Sequence, residues 1–296
     1  MKTLREVLAD ADARRVALGH FNISDLAALK AIFAGARELQ VPVLIGVSEG
    51  EREFIGVRQA AALIKNLREQ YDYPIFLNAD HTHSLDKAKE AAAAGFDEII
   101  FDNSSLPMEQ NIANTKEAVA AIRAIDPNIV IEGEIGYIGS NSEIIDAAPA
   151  GIALSTPEDA VKFVTATGID VLAPAVGNMH GLLKSMTTGG AGAEHKHLNI
   201  PLIAEIKAAI AVAGANAKFM TLHGGSGTGD ADFVAAAKAG MTIIHVSSEL
   251  RLAWRRGVEE GLKDPNEIAP YKITAQAVAG IQKIVIDRLK LFNGSE

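Results

Sequence analysis

The chain has no cysteine. That absence removes disulfide frameworks and thiolate metal sites together, so any metal must be held by histidine and carboxylates. It also has no lysine- or arginine-rich run, and its formal net charge is −9. Nucleic acids and acidic membrane surfaces bind through clustered basic residues that displace counterions, so neither is an expected partner. A small anionic substrate stays open, because a few local donors outweigh net charge at a pocket. No apolar run approaches the ~20 residues of a membrane-spanning helix; Gly, Pro or charge breaks the longest candidates. The opening segment, MKTLREVLADADARR, is charged and lacks the apolar core of a secretory signal. Together these absences lead to the expectation of a soluble, cytoplasmic protein.

What is present is a core-forming composition, 48% hydrophobic and 22% charged over 296 residues, which argues against disorder. Short β-rich runs alternate with longer Ala-rich segments. The strand candidates are RVALGHFN (15–22), VPVLIGVS (41–48), PIFLNAD (74–80), EIIFDN (98–103), NIVIEGEIG (128–136), DVLAPAV (170–176), KFMTLHG (218–224) and MTIIHVS (241–247). Between them, DLAALKAIFAGARELQ, SLDKAKEAAAAG and TPEDAVKFVTATG read as helices, the last with Thr156 as N-cap and Pro157 at the first helical position. Eight β-then-α units without a composition break predict one α/β domain over 1–296, a single (β/α)8 TIM barrel. A doubly wound open sheet is the alternative, disfavoured by the lack of a switch point. Two stretches exceed a minimal barrel. Residues 177–199, long and Gly-rich, are expected to form a mobile active-site loop, and 266–296 a C-terminal helical extension that caps the barrel or builds an oligomer interface.

Barrel active sites lie at the C-terminal ends of the strands. The polar residues Asn22, Ser48, Asp80 with His81, Asn103, Glu132 with Glu134, His180, His223 and Ser247 all fall at such ends. Side chains two apart on a strand share a face. His20 with Asn22, Asn78 with Asp80, Glu132 with Glu134, and His245 with Ser247 are therefore predicted to stack as two polar layers inside the barrel mouth. Polar atoms there are costly unless partnered, so a hydrogen-bonded network is implied. His81, His180 and His223 stand at three strand ends, and a catalytic zinc takes three protein ligands and one open position. Asp80, beside His81 on the interior parity, sits where a proton-transfer residue belongs. HGGSGTG after the seventh strand and VSSE after the eighth fall where barrels commonly bind phosphate. There the N–H groups of Gly224, Gly225 and Ser226 and the hydroxyls of Ser226, Ser247 and Ser248 can meet an anion. The spaced GxGxxG dinucleotide pattern is not matched, because Asp230 occupies its last position.

FN (21–22), VSEG (47–50), DH (80–81), IEGEIGYIGS (131–140), TPEDAVKFVTATGID (156–170), GNMHG (177–181), HGGSG (223–227) and SSELRLAW (247–254) occur in one order along almost the whole chain. In that order and spacing the sequence resembles the class II, metal-dependent ketose-bisphosphate aldolases, the family of the fructose- and tagatose-bisphosphate enzymes. The resemblance implies Zn2+, or another divalent ion, on His81, His180 and His223, with Glu134 as an alternative ligand or a partner behind one. It implies Asp80 as the acid–base, Glu143 as a loop proton-transfer residue, and Asn22 and Ser48 among the substrate contacts. It implies Gly181 and Lys184 on the phosphate, and leaves room for a monovalent cation near that site. The implied reaction is reversible cleavage of a phosphorylated ketose to dihydroxyacetone phosphate and an aldehyde through a metal-stabilised enediolate, in a homodimer or homotetramer. An epimerase or lyase on a related sugar phosphate, or a non-catalytic sugar-phosphate-binding barrel, are the competing readings.

The chain departs from the family pattern at Asn78 and Thr82, at Ser142 with Glu143 one place later, and in the last strand at Ile243, His245 and Ser247. Because the eighth strand of a barrel closes on the first, His245 and His20 are expected to be neighbours, and we expect that pair to reshape the pocket for a substrate other than fructose 1,6-bisphosphate. His83, two past a ligand with Ser84 as a helix N-cap, is expected on the rim. His195 and His197 are spaced like a metal pair but are expected to be solvated.

Overall fold

The computed structural model describes residues 2–139, 143–146, 153–187 and 195–294. Ten strands are assigned among them: β1 (Leu18–Asn22), β2 (Val43–Val47), β3 (Ile75–Thr82), β4 (Glu98–Phe101), β5 (Val130–Ile135), β6 (Ile144–Ile145), β7 (Val171–Pro174), β8 (Leu182–Leu183), β9 (Phe219–Leu222) and β10 (Ile243–Val246). Eight of these close into a parallel barrel in the order β1-β10-β9-β7-β5-β4-β3-β2. The chain is a TIM barrel, with Leu18 opposite Ile243 and His20 opposite His245 at the closing seam.

Helices follow the strands: α1 (Leu4–Arg14) precedes the barrel, and α2 (Leu26–Leu39), α3 (Glu49–Ile55), α4 (Val57–Tyr71), α5 (Leu85–Ala94) and α6 (Met108–Ile125) serve its first half. Then come α7 (Pro157–Thr167), α8 (Ile200–Val212), α9 (Asp230–Ala239), α10 (Ser248–Gly261), the short α11 (Pro270–Ile273) and α12 (Ala275–Asn293). Their starts are set by side-chain caps. Thr156 accepts from Asp159 N with Pro157 behind it, Ser84 accepts from Lys87 N, and Ser48 forms a capping box with Glu51.

Strand alternation sorts the side chains into two cores. Outward-facing Phe21, Ile45, Leu77, Ile99, Ile131, Leu172 and Ile244 pack under the helices. Inward-facing Leu18, Leu44, Phe76, Val130, Val171, Phe219 and Ile243 fill the N-terminal end of the barrel. Leu4, Val7 and Leu8 of α1 close that end, so the charged opening segment is a plug with one apolar face. Arg5 fastens it, donating to both Asp170 oxygens at 2.7 and 2.8 Å and to the Ile129 carbonyl. Arg15 ends α1 in the left-handed region, φ 57°, which is why β1 begins at Leu18 and not three residues earlier.

The C-terminal segment is woven into the barrel wall. α12 lies against α10, α2, α9 and β1, burying Val285, Leu289 and Phe292. Ala17 N donates to Phe292 O at 2.9 Å. Gly19 makes this approach feasible, since a Cβ there would sit 2.7 Å from Leu289 Cδ2.

Above the barrel mouth, β6 pairs with β8 (Ile144 with Leu182), and Leu182 N donates to Glu143 O. The stretch expected as one loop thus contains a strand and a 3-10 turn (Lys184–Thr187); 188–194 and Ser142 lie outside the described residues. No described helix is long and apolar enough to cross a membrane.

Candidate metal centre and active site

His81 is the residue that the backbone works hardest to place. Regular alternation would turn it away from the interior that Asp80 faces. Instead the register between β3 and β4 shifts between Ala79 and Thr82, and His81 adopts φ 40°, a left-handed conformation that costs a non-glycine residue about 1–3 kcal/mol. The bulge brings His81 into the mouth beside Asp80. Asp102 then fixes the ring: its Oδ2 lies 2.8 Å from His81 Nδ1, leaving Nε2 for the interior. Asp102 is itself anchored by Ser104, whose N and Oγ both donate to Oδ1.

His223 meets His81 from the end of β9, with its Nδ1 3.1 Å from His81 Nε2. Its far nitrogen, Nε2, lies 2.5 Å from Glu132 Oε1. His180 completes the trio, its ring 4.8 Å from that of His81 and 6.1 Å from that of His223. One ring nitrogen from each of the three lies within 4.8 Å of the others. His180 Nε2 is buried with no hydrogen-bond partner among the described residues.

These residues fit a divalent ion. Two tetrahedral ligands at Zn–N distances near 2.0–2.1 Å stand about 3.3 Å apart, close to the His81–His223 approach. The orphaned His180 nitrogen supplies a third donor, and carboxylates behind two rings match the usual way metal-bound imidazoles are oriented. Glu134 is adjacent, its Oε2 3.8 Å from His81 Nδ1 and without a hydrogen bond, while Oε1 accepts from Ser104.

The electrostatics separate the carboxylates by role. Burial opposes charge on Asp80, yet His81, His20, His223 and the Asn22 amide hold its pKa well below the usual range. Burial pushes Glu132 and Glu134 well above theirs. Burial also lowers His180 to about 3 and His223 far below its ordinary value, while Asp80, Asp102 and Glu134 overcome burial at His81 and raise it to about 10. Asp80 is thus an ionised carboxylate with one oxygen held by Asn22 Nδ2 at 2.8 Å and the other, Oδ1, unbonded. Asn22 spans Asp80 and Glu51; Glu51 is gripped in turn by Arg251 at 2.7 Å. Buried Arg52 holds the β2 and β3 ends through Val47 O, Asp80 O and Thr82 Oγ1.

A cavity of about 520 Å³ opens over these groups. Asp80, His81, His180 and His223 line its floor. Its wall includes Asn22, Ser48, Glu143, Gly181, Gly224, Ser226, His245, Ser247 and Ser248. Ser226 Oγ accepts from Ser247 N and Glu249 N, which leaves its hydroxyl hydrogen for a ligand. Ser247 Oγ is buried and unbonded, at the N-terminus of α10, where the helix dipole favours an anion. Gly225 is placed otherwise: its N–H donates to His245 O, and it does not line the cavity. Lys184 is exposed and also outside the lining. His83 stands on the rim with its Nδ1 2.9 Å from Asp102 O, and His197 is 86% exposed.

With that geometry in view, comparison with known proteins is direct. The model of the class II fructose-bisphosphate aldolases matches residues 2–296. The chain belongs to that family. It is 31% identical over 300 residues to the fructose-bisphosphate aldolase of Geobacillus stearothermophilus, covering 99% of this chain and 97% of that one. It is 30% identical to the probable fructose-bisphosphate aldolase of Bacillus subtilis strain 168, covering 99% and 98%. Among solved structures, the YdjI aldolase of Escherichia coli K12 superimposes with a TM-score of 0.80 at 25% identity, over 98% of this chain and 96% of that one. This class II aldolase is therefore a carbon–carbon lyase of a metal-dependent family.

Sequence reasoning passed over Asp102, Glu51, Arg251 and Lys196. Asp102 had a signal: it continues the inward parity of Glu98 and Ile100, whereas attention fell on Asn103. Lys196 had none. It lies between His195 and His197, which face solvent, and only the fold shows that it turns inward.

Proposed function

We propose that this class II aldolase is a zinc enzyme that reversibly cleaves a phosphorylated ketose to dihydroxyacetone phosphate and an aldehyde. The observation that carries the reading is the convergence of three imidazoles beside an ionised carboxylate, with an anion cradle at the far side of one cavity. Three nitrogen donors with no thiolate suit zinc. Bound there, a divalent ion would polarise the ketose carbonyl and hydroxyl oxygens and stabilise the charge left when the carbon–carbon bond breaks.

The chain's own residues do the rest. Asp80 Oδ1, ionised and unbonded, accepts the proton of the hydroxyl that becomes the aldehyde, and returns it in the condensation direction. Asn22 fixes the carboxylate from its other oxygen. Ser226, Ser247 and the start of α10 hold a phosphate at the β9–β10 side, which sets the ketose chain across the floor. Glu143, on the cavity wall and tied to β8 through its backbone, is the loop group for proton exchange at the neighbouring carbon. A cytoplasmic homodimer or homotetramer is the setting we infer from the family.

Which ketose is cleaved turns on the β1–β10 seam. His20 and His245 stack with ring centroids 3.5 Å apart at 9°, and His245 Nδ1 lies 3.6 Å from Asp80 Oδ1. That pair narrows the floor beside the base and favours a ketose other than fructose 1,6-bisphosphate. Aldol cleavage of fructose 1,6-bisphosphate and other ketose phosphates by purified protein, before and after chelation and with zinc restored, tests the reading. Activity lost to the chelator and recovered with zinc supports it, whereas a zinc-loaded sample that cleaves none of them sinks it. Exchanging His245 for Asn should shift the preference among ketose phosphates by about tenfold or more; an unchanged ratio refutes the role given to the stack.

A further inference from the structure

Three backbone carbonyls meet at one buried point beside the metal centre. Those of Met179 and Gly181 flank His180, and that of Gly224 follows His223. The two loops come so close that a Cβ at Gly224, φ 59°, would lie 2.4 Å from Met179 O. Carbonyl oxygens brought together this way repel unless a cation lies between them, and rings of them are how proteins replace the hydration shell of a monovalent ion. Here the position is filled from within. Lys196 Nζ lies 2.7 Å from Met179 O, 2.7 Å from Gly181 O and 3.0 Å from Gly224 O.

Three acceptors require three N–H groups, so the side chain is an ammonium. Burial, opposed by Glu249, lowers its pKa to about 7, and hydrogen bonds to three carbonyls favour the charged form. The stem is pinned as well: Lys196 N donates to Gly227 O at 2.9 Å, and Lys196 bridges to Thr228. The family resemblance left room for a free monovalent cation near the phosphate, and this cage does not fit one while Lys196 holds it.

We infer that Lys196 is a tethered monovalent cation, a positioning residue that locks the His180 and His223 loops together and presents a fixed positive charge on the cavity wall beside Gly224 and Ser226. The enzyme therefore functions without added potassium or sodium. The inference rests on the reading of the three histidines as metal ligands and not on the identity of the ketose.

The test compares the wild type with Lys196→Ala in tetramethylammonium, sodium, potassium and ammonium chloride at matched ionic strength. Two readouts are used that need no substrate: thermal unfolding midpoint, and zinc affinity by competition with a chromogenic chelator. The wild type should give the same midpoint and affinity in all four salts. Lys196→Ala should bind zinc about 10- to 100-fold more weakly in tetramethylammonium. Potassium or ammonium should restore most of that affinity and raise the midpoint, because an ion that binds only the native cage stabilises it. A wild type whose zinc affinity rises severalfold with potassium overturns the proposal. So does a folded variant that no small cation rescues. Wild-type protein that binds no zinc in any salt would instead remove the metal reading, while the midpoint shift of the variant still decides the cage.

Discussion

The inside of this barrel is two rooms built on the same strands. At the N-terminal end, Leu18, Leu44, Phe76, Val130, Val171, Phe219 and Ile243 pack against α1 and leave nothing unsatisfied. Two residues further along these strands stand His20, Gly46, Asn78, Glu132, Ala173, Thr221 and His245, all at the same inward parity. One more step of two gives Asn22, Asp80, Glu134 and His223. Most of the buried polar atoms that lack a partner among the described residues belong to these upper layers, with Glu98 at their lower edge. The lower room is complete as folded. The upper one is held with unpaired polar atoms by the lower room and by the helices, and the metal and substrate proposed above would meet those of Asp80, His180, His245 and Ser247, which line the cavity.

That contrast can be broken from either side, and the largest effect is expected at the top. Asp80→Asn keeps shape but removes the base, and should lower kcat/KM for ketose cleavage by about 10²- to 10⁴-fold, with a smaller loss of stability from the missing charge that the imidazoles favour. Steady-state kinetics with calorimetry on one sample checks both halves; a large fall in midpoint with modest kinetic loss would reverse the assignment of the layers. Phe76→Ala opens a cavity in the lower room and should cost about 3–5 kcal/mol of stability, with kcat unchanged wherever the protein is still folded. Denaturant unfolding measures it, and a kcat loss matching that of Asp80→Asn would show that the rooms are not separable.

A change confined to one pH window sharpens the boundary. Glu98 is fully buried, with Asn78 Nδ2 2.7 Å from one oxygen; burial, opposed by that amide, lifts its pKa from 4.5 to about 8. The folded chain then holds a proton that the unfolded chain has released. Its contribution is complete below the unfolded value, declines by up to about 1.4 kcal/mol per pH unit between 4.5 and about 8, and changes no further above. Glu98→Gln should flatten that decline in unfolding free energies taken from about pH 5 to about pH 9. Parallel curves would place Glu98 outside the strained layer.

The two rooms were also unequally legible in the sequence. Alternation alone puts His20 with Asn22 and His245 with Ser247 on the inner face, and closure of the last strand on the first makes the His20–His245 contact foreseeable from sequence. Strand boundaries followed from apolar runs, with errors where a helix end intruded, as at Arg15. What was not legible depends on contacts with no local period. The plug formed by α1 reads only as a charged opening segment, because its apolar residues make sense only beneath a barrel. Lys196 looks like a loop lysine until the fold brings three carbonyls to it. The His81 bulge is invisible in a pattern that assumes regular strands, though the DH pair marks its place.

Gly46 carries a consequence for how this pocket can change. A Cβ there would lie 2.1 Å from His20 Cε1 and 2.4 Å from Nε2, so the imidazole stands in space that only a glycine on the next strand leaves free, and it leans on His245 from the other side. The three positions form an ordered set. A side chain arriving first at 46 meets the ring, so a substitution at 46 has to follow one at position 20, whereas a change at 245 removes only the stacking partner of His20. Laboratory evolution that seeks a new ketose should find substitutions at 46 only in lineages that have already lost His20.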